Sequence, residues 1–251
     1  MQNPAPDSPA CRRFRALARS APWLSTSLKL CFEAAGPEQQ ILPPGPLFLL
    51  LRQREAVRIE DASGQPVYQA ERFTADRSRQ YVAATKRSWQ LPAQLSTPVF
   101  TEQHLVLRRP QIQSFDGLLP ASWLEAMLDP YELAGTEPAA WELAFSHPVL
   151  IHELDEVLHA GRPALRAVVS AGYSYQPAVP GFRLVPAAGQ TVLVLDLATG
   201  ICVLRQAAGE LPLDLQVLEQ DQYYLDSLFT APAPTLSQVR SLASWEPGRQ
   251  R

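Results

Sequence analysis

Residues 191–206, TVLVLDLATGICVLRQ, leave little freedom in what this chain can become. Val192 and Val194 alternate with Leu193 and Leu195 as far as Asp196, Gly200 offers a position that tolerates positive φ, and Ile201 to Leu204 run back. Two half-buried strands joined by a tight turn are the expectation, and a half-buried hairpin needs more strands and a covering layer to become a core.

The same period of two recurs in the first third. Leu24, Thr26, Leu28, Leu30 and Phe32 point one way and Ser25, Ser27, Lys29, Cys31 and Glu33 the other, which predicts a strand with one buried face. Residues 47–52 form another strand after the Pro43, Pro44, Gly45, Pro46 cluster. Val57 and Ile59 alternate up to the Asp61-Ala62-Ser63-Gly64 turn, residues 67–72 return, and a further strand is expected over 79–85 with Trp89 closing it. Ahead of this meander, residues 1–9 read as a disordered, proline-rich N-terminus. Residues 11–19 read as a short amphipathic helix with Phe14, Leu17 and Ala18 on the buried side, Arg12, Arg15 and Arg19 on the solvent side, and Pro22 at its end.

The middle changes period. Leu118, Leu119, Trp123, Leu124, Met127 and Leu128 are apolar at helical spacing, Pro120 suits a first turn, and Asp129-Pro130-Tyr131-Glu132 has the form of a capping box before Gly135. Two short helices are therefore expected within residues 115–134. Strands are expected over 141–151 and 157–170 with a turn at His152-Glu153-Leu154-Asp155, then a long loop over 173–188, the hairpin, a last strand over 213–218 and a closing segment, 223–229. One α+β domain over 10–232, mainly antiparallel β, follows from this order, with 233–251 as a C-terminal tail. A twisted sheet should wrap the helices of residues 122–133, with Leu28, Leu30 and Phe32 facing them.

Several functional classes are disfavoured by the chemistry present. A formal charge of -3 with scattered arginines gives no basic surface for phosphate backbones, so no nucleic-acid partner is expected. No apolar run approaches a membrane span. There is no G-x-S-x-G, G-x-G-x-x-G, phosphate-binding glycine loop or H-E-x-x-H, so neither a catalytic residue nor a cofactor is assigned. His152, Asp155, Glu156 and His159 would share one face of a helix and could there hold a divalent metal for a hydrolase. The strand-like residues around them favour a solvated turn, and no metal ligand is assigned. His104, His147, Ser170 and Ser174 have no catalytic company in the sequence. Arg162 could anchor a carboxylate and is expected to pair with Glu156.

Cys11, Cys31 and Cys202 form no C-x-x-C pair and read as thiols in a reducing compartment; with a charged helix near the start and no apolar leader, the expected address is the cytoplasm, or export should the true start lie upstream.

Arg58-Ile59-Glu60-Asp61 before Gly64, Leu128-Asp129-Pro130, Ala160-Gly161-Arg162-Pro163-Ala164-Leu165-Arg166, Leu195-Asp196-Leu197-Ala198-Thr199-Gly200 and Leu228-Phe229-Thr230-Ala231-Pro232 occur in an order that resembles the LolA-like superfamily. That superfamily holds the outer-membrane lipoprotein carriers and RseB-type sensors, and the order looks most like its uncharacterised bacterial members. The resemblance spans about residues 11–232. It implies a strongly curved, incomplete β-barrel with helices covering the concave face, and a non-enzymatic binding protein whose hydrophobic cavity takes an acyl chain, a lipid or an apolar protein segment. Leu28, Leu30, Phe32, Trp123, Leu124 and Met127 are the residues expected to line such a cavity. The alternative is an interaction or regulatory module with a filled core and no ligand.

Overall fold

In the computed structural model, the described residues are 5, 8–34, 42–52, 55–71, 97–110, 115, 118–138 and 147–230. The strand expected over 79–85 with Trp89, the part of the next one before residue 147, Arg72 and the 233–251 tail lie outside them, as does most of the 1–9 segment.

Ser8 and Pro9 start the first helix, α1 (Pro9–Ser20), earlier than the apolar spacing suggests. The Ser8 hydroxyl accepts from the Cys11 N–H, and Pro9 occupies the first turn, where its missing N–H costs nothing. A 3₁₀ turn, Ala21–Trp23, ends it. Four strands follow, β1 (Ser27–Glu33), β2 (Pro46–Arg52), β3 (Ala56–Glu60) and β4 (Pro66–Glu71), then a small hairpin, β5 (Val99–Phe100) with β6 (Val106–Arg108). The helical segment supplies α2 (Ser122–Leu128) and a 3₁₀ turn, Tyr131–Leu133. Asp129 sits at the C-terminus of α2 and caps nothing with its side chain, so the capping box expected at 129–132 is absent.

The second half adds β7 (Val149–His159), β8 (Arg162–Ala171), β9 (Thr191–Asp196), β10 (Cys202–Ala207) and β11 (Leu213–Gln220). The turn expected at 152–155 lies at Ala160-Gly161 instead: residues 149–159 form one continuous strand, and Gly161 takes φ of 79° in the reversal. The polar run that resembled a turn contains a register shift between Ile151 and Glu153, and Arg166 opposite it bridges both Glu153 (3.2 Å) and Asp155 (3.4 Å).

All nine strands other than β5 and β6 belong to one antiparallel sheet, in the order β4-β3-β2-β1-β11-β10-β9-β8-β7. Among the described residues the sheet is open, with β4 and β7 at its edges. β1 lies at the junction of the two halves, pairing with β2 on one side and β11 on the other. Its register aligns Leu51, Leu49 and Leu47 with Leu28, Leu30 and Phe32, and Val217 and Leu215 with Leu30 and Phe32, so one apolar row crosses from β3 to β11. α2 meets that row through Trp123 on Phe32, and the apolar side of α1 belongs to the same main core.

The opposite face of β2 and β3 is covered by the closing segment. Leu50 and Ala56 pack with Phe229, Tyr224 and Leu228, Arg52 stacks on the Phe229 ring at 5.0 Å, and Arg58 and Gln69 donate to the Leu228 carbonyl. The loop between β8 and β9 is held by Glu132, which accepts from the Tyr175 hydroxyl and from the Ala178 and Leu184 N–H groups (2.7 Å each). No described helix is long and apolar enough to cross a membrane.

Candidate functional site

The six residues expected to line a cavity meet one another in the core. Leu28, Leu30 and Phe32 on β1 and Trp123, Leu124 and Met127 on α2 are all buried in one cluster, with the Phe32 and Trp123 rings edge to face at 5.6 Å. The space beside Leu28 that Leu51, Phe115, Leu128 and Ile201 also line measures about 10 Å³, which is near the size of one water.

The larger opening lies on the other side of α1. A cavity of about 550 Å³ runs between α1, the β5–β6 hairpin and residues 134–138, a volume within the roughly 300 to 1,000 Å³ of small-molecule sites. Leu105, Val106, Leu107, Ala134 and Pro138 give it apolar walls, and Arg12, Arg13, Arg15 and Arg19 enter from α1. Sequence reasoning placed Arg12, Arg15 and Arg19 in solvent. The structure buries Arg15 and Arg19 to 5% and 4% exposure, because residues 99–108 and 131–136 fold over that side of the helix. A signal was present: α1 has four arginines and no acid, so nothing on the helix itself neutralises the stripe.

Ser20, Arg19 and Arg109 hold the cover down. The Ser20 hydroxyl donates to the Ala16 carbonyl (2.6 Å) and accepts from the Val106 N–H (2.7 Å), which pins β6 to α1. Arg19 Nε donates to the Gly135 carbonyl at 3.3 Å. Arg109, just past β6, donates to the Arg19 carbonyl (3.2 Å) and grips Asp129 with two bonds of 2.5 Å, while its N–H donates to the Thr136 carbonyl. Its guanidinium lies between the Trp23 and Tyr131 rings, 4.8 and 4.2 Å from their centroids. The consequence is a crowd of cations: burial first, then Arg109 and Arg15, pull the Arg19 guanidinium down to about 10, so it stays charged at neutral pH.

The other singled-out residues fall elsewhere. His152, Asp155, Glu156 and His159 lie along β7 rather than on one helical face, and among the described residues no group of His, Cys, Asp or Glu is arranged to hold a metal. Glu156 pairs with Arg13 of α1 (2.8 Å), so it is not the partner of Arg162. Arg162 instead binds Asp196 (2.7 and 3.1 Å) and Gln220 (3.0 Å), tying the β7–β8 turn to the β9–β10 turn and β11. His159 lies 3.2 Å from the Leu215 carbonyl and 3.1 Å from Asp214. Ser170, without a histidine near it in sequence, has His152 Nε2 at 2.8 Å across the β7–β8 pair, and among the described residues no carboxylate bonds the other nitrogen of that ring. The pair thus lacks the third group that would orient a base. His104 takes φ of 59° in the β5–β6 turn, and His147 lines the cavity. Cys11, Cys31 and Cys202 form no disulfide, and burial raises the Cys202 thiol to about 12, which keeps it protonated and unreactive.

No protein-family model, no curated protein and no solved structure matches the chain.

Proposed function

We propose that this is a non-enzymatic binding protein that carries an apolar guest in the cavity between α1, the β5–β6 hairpin and residues 134–138. The observation that carries the reading is the 550 Å³ space itself, walled by Leu105, Val106, Leu107, Ala134 and Pro138, in a protein whose main core is otherwise packed with large side chains. A cavity of that size with apolar walls is stable when something apolar fills it, and one of its walls is a two-strand hairpin. In this reading the sheet bends around the helices as in LolA-like half-barrels. The guest is an acyl chain, a lipid or an apolar peptide segment, held on the far side of α1 from the sheet.

Full burial of Leu28, Leu30, Phe32, Trp123, Leu124 and Met127 favours a second reading, an interaction module with a filled core and no small ligand. Native mass spectrometry of freshly purified protein, with titration of an environment-sensitive apolar fluorophore, separates the two. Co-purified lipid, or fluorophore binding that Ala16→Trp abolishes without changing the melting temperature, supports the carrier. An empty protein that binds no probe supports the module.

A further inference from the structure

We infer that Glu132 is a proton-operated latch for the strap of residues 172–185: the strap is held most firmly when this buried carboxyl carries a proton, and it loosens when the group is charged. The inference is independent of what the cavity holds. The strap is the first part of the connection between β8 and β9, and its Val179, Leu184 and Val185 belong to the main core. One side chain reaches it at three places. Oε1 of Glu132 accepts from the Tyr175 hydroxyl and from the Leu184 N–H (2.7 Å), Oε2 accepts from the Ala178 N–H (2.7 Å), and the Tyr175 oxygen takes the Val185 N–H at 3.1 Å.

Glu132 is 2% exposed, and these three donors are neutral groups. Neutral donors offset only part of what a buried carboxylate loses by leaving water. Burial raises the carboxyl above its usual range, against the Ala178, Tyr175 and Leu184 bonds and the Arg183 cation, which pull it down. Opening the strap returns the group to water and to an ordinary value of about 4.3. The closed strap therefore binds the proton more tightly than the open one. Closure is fully supported below the open value and loses that support as pH rises through the raised one. The protonated acid fits the same place, because the Tyr175 oxygen accepts as well as donates and both amides keep an acceptor.

The groups around Glu132 come from each element packed on it. Tyr175 on the strap and Tyr131 on its own turn are raised, burial first, and stay neutral, as does the Cys202 thiol of β10 at about 12. The cations are Arg183 on the strap, Arg205 on β10, which donates to the Leu184 carbonyl at 2.9 Å, and Arg15 and Arg19 on α1, which packs on the turn. Asp129 is bound to Arg109. His147, next to the Pro148 carbonyl that takes the Gly172 N–H, carries an imidazole, a group that titrates near neutrality, and is the control.

Hydrogen exchange of the full chain, read by mass spectrometry as protection factors at pH 5, 6.5 and 8, tests the latch. Protection of residues 174–185 relative to the β9–β10 pair should fall at least roughly threefold from pH 5 to pH 8, since each unit between the closed and open values changes the closed-to-open ratio about tenfold. Glu132→Gln, uncharged throughout and still offering the amides an oxygen, should abolish the fall, and His147→Gln should keep it. Should Glu132→Gln fail to fold, Tyr175→Phe takes its place: without the hydroxyl the charged form is held less well, and the fall should steepen. Strap protection that is constant or rises with pH overturns the latch. So does a fall that Glu132→Gln leaves in place, that Tyr175→Phe does not steepen, or that His147→Gln abolishes.

Discussion

Arg109 and Asp129 face each other with two buried N–O contacts of 2.5 Å, the Arg109 guanidinium lying between the Trp23 and Tyr131 rings, and join the end of the β5–β6 hairpin to the end of α2. A buried ion pair of this geometry adds little over a well-packed apolar pair, yet removing one member strands the other charge. Asp129→Ala should therefore cost about 3 to 5 kcal/mol, and Arg109→Met with Asp129→Leu should recover much of it. Urea denaturation of the two variants checks this; a double variant as unstable as the single would show that the pair contributes by attraction rather than by mutual need.

Leu124 on α2 is fully buried against the sheet, in contact with the cluster that contains Leu30 and Phe32. Leu124→Asp would place an unpaired carboxylate there and should destabilise by about 4 kcal/mol or more. Thermal unfolding within a degree or two of wild type would mean that α2 does not pack as described.

Asp196 gives the fold an acid limit. Burial by itself raises its carboxyl, but the Arg162 side chain together with the Thr199 N–H and hydroxyl outweighs this and holds it below the usual carboxylate range. A depressed folded-state value means that the stabilisation is present above the unfolded value of about 4 and is lost as pH falls through the folded one. Asp196→Asn should lower stability at pH 7 by about 1 to 3 kcal/mol, the range reduced from that of a fully buried pair because Arg162 is partly exposed, and should flatten the acid limb of a stability–pH profile. An unchanged acid limb would remove Asp196 from the account.

Gly200 lies where the β9–β10 turn meets α1. Its φ is 70°, and an added Cβ would come within 2.7 Å of the Leu17 carbonyl oxygen and 3.0 Å of Leu24. Gly200→Ala combines left-handed backbone strain with a clash against helix backbone, and about 2 to 4 kcal/mol of destabilisation is expected. Gly64→Ala, at a φ of 80° with open space around the new methyl, should show the strain alone, about 1 kcal/mol. Equal melting temperatures for the two variants would show that α1 does not rest on the turn.

Strands with one buried face were legible because alternation is a local property: Leu28, Leu30 and Phe32 announce β1, and Val192 to Leu195 announce β9, without knowledge of what pairs with them. β7 was misread at 152–155 because its register shift breaks the alternation and its charges are neutralised by Arg166 on the next strand, which no local pattern reveals. The six expected ligand-contacting residues are all buried, and alternation and helical spacing do not say whether inward means cavity or core. Arg15 and Arg19 of α1 were misread for the converse reason, whereas Arg12 is exposed as expected. A helix alone divides into an apolar face and a wet face, and the hairpin at 99–108 and residues 131–136, both distant in sequence, turn part of the second face into a buried one.

The pairing of β1 with β11 has a consequence for how the chain is made. Strand β1 can pair with β2 as soon as both have been made, but the strand for its other edge is complete only at Gln220, and the bond from Thr26 to Asp221 closes a loop with a sequence separation of 195. Until then an apolar strand with an open hydrogen-bonding edge, carrying Leu28, Leu30 and Phe32, waits while the residues between β2 and β11 are made. The step that joins the two halves of the sheet is therefore also the one that ends the exposure of the β1 edge to wrong partners.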